Sequence, residues 1–345
     1  MTSMQDKKIT INDVAKLAGV SKRTVSRVIN RSPLVGENTL KKVEQIIKEV
    51  NFSPDKQARG LASSRSYLLG LIYDNFNSLS NVQVQQGALS ICAELGYELV
   101  VHPCKPKESN FIEECVNSIA RSKLDGVIIL PPISENKQLA AALRDASCPY
   151  VRIASVDIDD KDNIVVSDER ESMKEMADHF VELGHKDIAY ISGPLRYKSS
   201  TERMEGFLSG LKESDIHLPS SRILEGKNSY ESGMACATEL LNQEKRPTAI
   251  LANNDEMATG VIRVANDLGI KVPEELSVAG FDDNIYASRI IPSLTTIKRP
   301  INNMAALATQ KLINKVQSEH SSPLKLTGEV KPHLIIREST DKVPN

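Results

Sequence analysis

The chain has 345 residues, 40% of them hydrophobic, no Trp and a formal net charge of −2. That length suffices for two or three domains and a sizeable core. No apolar run approaches the roughly 18 residues of a membrane span, and the N-terminal MTSMQDKKITINDVAK lacks the apolar core of a signal peptide, so a soluble cytoplasmic protein is expected. Cys92, Cys104, Cys115, Cys148 and Cys236 stand at no metal-ligand spacing; an odd, dispersed set reads as reduced, mostly buried thiols. The small net charge hides an asymmetry. Residues 1–66 hold 13 Lys and Arg against 6 Asp and Glu, whereas residues 67–345 hold 30 against 39. A basic head on an acidic body suggests a polyanion partner for the head alone; the plain alternative is a solvated helical face.

In chain order, the first pattern is INDVAKLAGVSKRTVSRVINRSP, residues 11–33. Ile11, Val14, Ala15 and Ala18 recur at helical spacing. Thr10 is placed to cap this helix, with Asp13 three residues on. Gly19 ends it in a left-handed turn, and Ser21 caps a second helix at once, which is helix-turn-helix geometry. Projected at about 100° per residue, Val25, Val28 and Ile29 of the second helix share one side. Lys22, Arg23, Ser26, Arg27 and Asn30 share the other. Three cations, no anion and short hydrogen-bonding residues suit a major groove, where Arg and Lys reach guanine and Ser or Asn reach phosphate. Lys22 and Arg23, at the N-terminal end, are the expected base readers. Arg27 reads a base or clamps a phosphate. A third helix is expected over 37–50, with Leu40, Val43, Ile47 and Val50 closing a three-helix head, Asn51 in a left-handed conformation after it and Pro54 stopping it. Lys41 and Lys42 either touch the DNA backbone or are simply solvated.

Residues 53–66, SPDKQARGLASSRS, are polar, with Leu61 isolated among small residues, as in a linker. From residue 67 short apolar runs alternate with helical stretches: YLLGLIYD, YELVVHPC, DGVIILPP, YVRIAS, NIVVSDE, DIAYISG, TAILANND and LSVAGFDD. This is βαβ alternation, so parallel sheets covered on both faces. Two α/β halves with a cleft between them fit the length, with ligands at the carboxyl ends of the strands. The sequence has no GxxxxGK[ST], no GxGxxG after the first strand, and no HExxH or GxSxG. That disfavours nucleotide hydrolysis, dinucleotide redox and the common hydrolases; no catalytic residue, cofactor or metal is expected. DIDDKDN (157–163) lacks the glycine of a calcium loop and reads as solvated. His185 in LGHKDIAY reads as a helix-end cap.

TINDVAKLAGVSKRTVSRVINRSPLV and LKKVEQIIKEVNFSPDKQARGLASSRSYLLGLI resemble the lactose/galactose repressor (LacI/GalR) family of bacterial transcription regulators. SSTERMEGF, LANNDEMATG, VAGFDDNIYASRIIPSLTTIKRP and IIREST extend the resemblance over nearly the whole chain. It implies a small all-α helix-turn-helix DNA-binding domain (1–52), a hinge helix or linker (53–66) and a periplasmic-binding-protein-like α/β domain (67–345). The last has two parallel-sheet subdomains, about 67–165 plus 299–327 and about 166–298 plus 328–340. It implies a homodimer on a palindromic double-stranded operator, with Thr10, Ser21 and Thr24 joining Lys22, Arg23, Ser26, Arg27 and Asn30 at the DNA. Paired hinges enter the minor groove, where Leu61 and Ala62 match an apolar wedge that kinks the duplex, with Arg59 and Arg65 facing phosphate. Gly36 and Gly60 depart from the family pattern. The first costs a few tenths of a kcal/mol as an N-cap, and the second weakens the hinge helix by about 0.5–1 kcal/mol relative to Ala.

Arg203, Asn254 and Asp282 match the family's polar effector ligands and suit a sugar chemically; the alternative for each is a strand-end cap or an ion pair. Asp255 is a possible cap of the following helix. Arg152 and Arg299 are weaker members of the set, and two arginines also fit an anionic effector. Phe76, Tyr230 and Phe281 either stack on a sugar face or lie in the core. The tail ESTDKVPN has no leucine heptads. The expected function is a ligand-responsive, sequence-specific transcriptional repressor of carbohydrate-utilisation genes, not an enzyme. The alternatives are a sugar-binding protein that does not use DNA, or a regulator with a purine, sugar-phosphate or protein co-regulator.

Overall fold

The computed structural model describes residues 9–29, 34–52, 65–74, 79–105, 108, 110–317 and 331–343. The chain divides into two units, Met1–Tyr67 and Leu68–Asn345. The first contains α1 (Ile11–Ala18), α2 (Lys22–Ile29) and α3 (Glu37–Glu49). Thr10 and Asp13 form a reciprocal capping box: Thr10 N–H donates to Asp13 Oδ2 at 2.9 Å and Asp13 N–H to Thr10 Oγ1 at 3.4 Å. Gly19 closes α1 at φ 62°, and Val20 N–H returns to the Ala15 carbonyl. Ser21 Oγ accepts from Thr24 N–H at 3.1 Å, starting α2 within two residues of that turn. Val14, Ala15, Ala18, Val25, Val28 and Val43 form the core, with Phe52 folded under it by a bond from its N–H to the Ile47 carbonyl. Asn51 takes the left-handed conformation, at φ 47°. Gly36 caps α3 without a side-chain bond.

The second unit holds two sheets. The first runs β2-β1-β3-β4-β5, all parallel, from β1 (Leu68–Tyr73), β2 (Glu98–Pro103), β3 (Gly126–Ile129), β4 (Tyr150–Ala154) and β5 (Ile164–Val166). Helices α4 (Ser80–Leu95), α5 (Phe111–Arg121) and α6 (Lys137–Asp145) connect its strands. The second sheet runs β11-β10-β9-β8-β6-β7, from β6 (Ile188–Ser192), β7 (Ile223–Glu225), β8 (Ala249–Ala252), β9 (Ser277–Asp282), β10 (Thr295–Lys298) and β11 (His333–Ile335). Its helices are α7 (Glu169–Glu182), α8 (Lys198–Glu213), α9 (Tyr230–Leu241) and α10 (Asp255–Asp267). Parallel strands buried on both faces read as continuous apolar runs. Along β6, Ile188 and Tyr190 face Phe180 and Phe207, while Ala189 and Ile191 face Leu240 and Val261. Among the described residues no helix is long and apolar enough to cross a membrane.

Three short strands, β7, β10 and β11, depart from the expected set, and β11 pairs antiparallel with β10, so the second sheet is mixed rather than parallel. Each has only three or four residues and includes polar ones (Glu225; Thr295, Thr296 and Lys298; His333), unlike the equally short but apolar β3, β5 and β8. The chain leaves the first sheet after Val166 for α7, and leaves the second after Lys298 for α11 (Ile301–Gln317), which packs on α4 and on β3 and β4. It rejoins the second sheet at β11.

The last described residues are not a free polar tail. Ser339 is fully buried, its carbonyl accepts from Val278 N–H, and Val343 N–H donates to the Leu183 carbonyl. His185 is the anchor. Its Nδ1 meets Thr248 Oγ1 at 2.9 Å and its Nε2 meets the Asp341 carbonyl at 2.9 Å and Ser277 Oγ at 3.0 Å. The expected helix-end cap is made by backbone instead: Gly184 turns at φ 86°, and His185 N–H donates to the Phe180 carbonyl. The imidazole fastens the C-terminal segment to two strands.

Helices α4 and α11 meet at Gly87, where an added Cβ would run into the Asn302 carbonyl. Backbone cannot retreat as a flexible side-chain tip can, so Gly87→Ala is expected to cost about 1–3 kcal/mol by overpacking. A lower melting temperature in calorimetry checks it; an unchanged melting temperature would show that the helices can part there.

Candidate DNA-reading face and ligand cleft

On the head, Lys22 and Arg23 are exposed and Ser26 and Arg27 half-buried, while Val25 and Val28 point into the core. The division between a polar outer side and an apolar inner side of α2 is the one its sequence implies. Thr10, Ser21 and Thr24 hold α1 and α2 in place: Thr10 Oγ1 donates to Asp13 Oδ2 at 2.6 Å, and the Ser21 and Thr24 hydroxyls lie 2.9 Å apart. Lys41 pairs with Glu37 at 2.8 Å on the α3 surface, which offsets its charge towards DNA. Asn30, Arg59, Gly60, Leu61, Ala62 and Phe76 lie outside the described residues.

In the body, a cavity of about 560 Å³ opens between the two sheets, within the 300–1,000 Å³ typical of small-molecule sites. Tyr73, Asp74 and Pro131 line it from the first sheet; Tyr197, Arg203, Asn228, Asn254 and Asp282 line it from the second; Arg299 sits at the chain crossing. Beneath lies a buried ion cluster. Arg203 Nε donates to Glu169 Oε2 at 2.7 Å and its Nη1 to the Asn253 carbonyl at 2.6 Å. Its Nη2 lies 3.7 Å from Asp282 Oδ1. Arg299 Nη1 lies 3.6 Å from Glu169 Oε1 and 3.9 Å from Asp282 Oδ1. Burial alone would raise the Glu169 carboxyl, but the two guanidiniums hold it below its ordinary value. Burial raises Asp282 despite the same arginines. Asp282 sits at φ 113° and Asp283 at φ 53°, a strained backbone where strand β9 meets the cleft.

The structure thus brings Arg203, Asn254, Asp282 and Arg299 together. Glu169, which organises them, escaped sequence reasoning. The signal was NIVVSDE, a strand ending in acids at a helix start, where an anion at the helix N-terminus is unremarkable. Asn254 does two jobs. Its Oδ1 caps α10 through Met257 N–H at 2.9 Å, and its Nδ2 donates to the Asn228 carbonyl at 3.2 Å. Asp255 is therefore not the cap: fully buried, it accepts from Asn284 N–H at 2.7 Å and Thr296 Oγ1 at 2.5 Å, and burial drives its carboxyl well up. Tyr197, Arg196, Asn228 and Lys227, on loops after strands, also line the cleft and carry no motif.

Arg152 does not belong to the site. It is buried, its Nε donates to Asp159 Oδ2 at 2.8 Å, and its Nη1 donates to the Ser134 carbonyl at 2.9 Å. Its charge is consumed inside the first half by DIDDKDN, whose Asp159 is no solvated loop residue. Phe281 is core, lying 3.7 Å under the Arg203 guanidinium, and Tyr230 is absent from the cleft lining. Cys104 and Cys115, expected as dispersed thiols, are in contact.

A helix-turn-helix with a basic outer face, on one chain with a two-sheet body around a polar cleft, defines a ligand-responsive DNA-binding regulator. Residues 10–55 match the model of bacterial regulatory proteins of the lacI family, and residues 177–340 that of a periplasmic binding protein-like domain. The chain is 31% identical over 340 residues to the probable HTH-type transcriptional repressor ExuR of Bacillus subtilis, covering 97% of this chain and 99% of that one. It is 32% identical over 345 residues to the HTH-type transcriptional repressor PurR of Yersinia pestis, covering 97% and 98%. Among solved structures, the lac repressor dimer bound to operator and the anti-inducer ONPF superposes with a TM-score of 0.74 at 30% identity, covering 97% and 100%. A CelR–cellobiose complex does so at 0.71 and 27%, covering 96% and 99%. The chain belongs to the LacI family of bacterial transcriptional regulators.

Removing Glu169 leaves two buried guanidiniums short of a counter-charge, so Glu169→Gln is expected to destabilise the body by about 3 kcal/mol at pH 7. A carboxylate whose folded pKa is depressed contributes stability above its unfolded pKa and loses it as pH falls through the folded value. The gap in melting temperature between wild type and Glu169→Gln should therefore be widest near neutrality and close below the ordinary Glu value of 4.5. A gap independent of pH would show that the carboxylate charge is not what holds the arginines.

Proposed function

We propose that this protein is a homodimeric repressor of carbohydrate-utilisation genes that acts in the cytoplasm on a palindromic operator and takes a neutral sugar or sugar-derived effector in the cleft. The observation that supports the effector class is the charge balance of the lining. Among the described residues, Arg196, Arg203, Lys227 and Arg299 face Asp74, Glu225, Glu256 and Asp282, and Glu169 neutralises the floor. Arg203, its guanidinium taken by Glu169 and the Asn253 carbonyl, is a poor partner for a carboxylate or phosphate, whereas a polyol can both donate and accept among such groups. This favours a neutral sugar over the anionic effector that two arginines suggested. The named ligand of the CelR structure is cellobiose, consistent with a saccharide in this kind of cleft. The output is operator occupancy, not turnover. Lys22 and Arg23 read bases, Ser26 and Arg27 hold the groove wall, and effector binding shifts the closure of the two halves and thereby operator affinity.

Arg23→Ala should lower affinity for a selected palindromic site about 10–100-fold, the worth of one bidentate base contact, with little effect on random duplex. Fluorescence anisotropy on both duplexes checks this; equal losses on both would remove Arg23 from base reading.

A thermal-shift screen against neutral sugars, sugar acids, sugar phosphates and purines names the effector class, because a ligand of the folded state raises the melting temperature by mass action. A neutral sugar should shift the wild type, and Asp282→Asn, chosen because Asn tolerates positive φ, should abolish that shift while leaving operator binding intact. A shift only with phosphates or purines would overturn the neutral-sugar reading, and an undiminished shift in Asp282→Asn would remove Asp282 from the site.

A further inference from the structure

Behind the first-sheet wall of the cleft lie two thiols facing each other. Cys104 directly follows β2, and its N–H donates to the Tyr73 carbonyl at 2.7 Å. Cys115 lies in the second turn of α5. Both are buried among Ile72, Ile129, Ile133 and Leu139, and their Sγ atoms are 2.6 Å apart. His102 is half-buried beside them, its ring nitrogen and the two sulfurs all within 4.8 Å of one another, with its Nδ1 on Ser118 Oγ at 3.0 Å.

Two chemistries bring cysteines this close. Two thiolates on one tetrahedral zinc, each about 2.3 Å from the ion, stand about 3.8 Å apart. A disulfide holds its sulfurs at about 2.05 Å. A separation of 2.6 Å lies inside the contact distance of unbonded sulfurs and nearer the second arrangement, so the pair is placed for bond formation more than for sharing an ion. We propose that Cys104 and Cys115 form a redox-modifiable dithiol, converted by a small peroxide to an intramolecular disulfide. One thiol of the pair attacks a peroxide oxygen, giving a sulfenic acid and one water. The facing thiol, already in contact with it, then displaces that hydroxyl, which leaves as a second water with the second thiol's proton. Two thiols and one peroxide become one disulfide and two waters. Cys92 and Cys148 are pushed up to about 11 by burial, and Cys236 is raised as well, which leaves them poor thiolates.

The bond would staple the end of β2 to α5. Because Cys104 N–H also holds the Tyr73 carbonyl and Tyr73 lines the cavity, the staple fixes one corner of the cleft wall. The test uses the full-length reduced protein treated with hydrogen peroxide, alkylated with iodoacetamide in denaturant, digested and mapped by mass spectrometry without reduction. The expected product joins the Cys104 and Cys115 peptides, leaves Cys92, Cys148 and Cys236 alkylated, and reverts with dithiothreitol. Cys104→Ser and Cys115→Ser, close to isosteric, should each lose the crosslink. The oxidised wild type should melt several degrees above the reduced form, a shift absent in both variants. Alkylation of all five cysteines after peroxide overturns the proposal, as does pairing with any other thiol. Equimolar zinc that co-purifies with the wild type, shields both thiols from peroxide and is lost from both variants assigns the site to a metal instead.

Discussion

The body is organised around one buried carboxylate. Glu169 is fully buried yet charged, because Arg203 and Arg299 approach it from α8 and from the segment after β10. A lone carboxylate in that position would cost many kcal/mol; paired, it fixes two guanidiniums that have lost their freedom. Its place in the chain matters as much as its charge. Glu169 follows the crossing from the first sheet to the second, and Arg299 follows the crossing back. The ion cluster therefore sits where the two halves are joined, and Asp282, at the end of β9, presents it to the cavity. Any change in how the halves close must adjust around these groups.

That placement gives a ligand in the cleft a route to bear on how the halves close. Asp282 and Arg299 are only loosely paired, their nearest charged atoms standing 3.9 Å apart. A ligand that prefers one closure of the cleft shifts the equilibrium only by its difference in affinity between closures. The head needs no such tuning. Its short helices are set by local chemistry, with the Thr10–Asp13 box, the Gly19 turn and the Ser21 cap fixing α2 with its basic side outward.

How much was legible in the sequence follows from that contrast. The head was legible because capping, turn and periodicity are local, and each residue's role depends on neighbours within four positions. Strands with an unbroken apolar stretch were legible even at three or four residues, whereas β7, β10 and β11 mix polar residues into their few positions and are defined by the strands they pair with. The cleft was half legible. Arg203, Asn254, Asp282 and Arg299 converge, but Glu169 could not be seen because its partners lie 34 and 130 positions away in the numbering. Arg152 was misplaced for the converse reason: a strand-end arginine looks free until the chain folds Asp159 onto it. Cys104 and Cys115, eleven positions apart, match no ligand spacing, and only the β2–α5 connection brings them together.

The central claim is that the cleft and the DNA-reading face are thermodynamically linked, and linkage is reciprocal. The direct measurement takes the sugar identified by thermal shift and determines its dissociation constant by calorimetry with and without saturating operator, then the operator's dissociation constant with and without saturating sugar. The same factor in both directions, about 5–150-fold, is the predicted result. Sugar affinity indifferent to operator, alongside tight binding of each alone, would contradict it and reduce the cleft to a binding site without a switch.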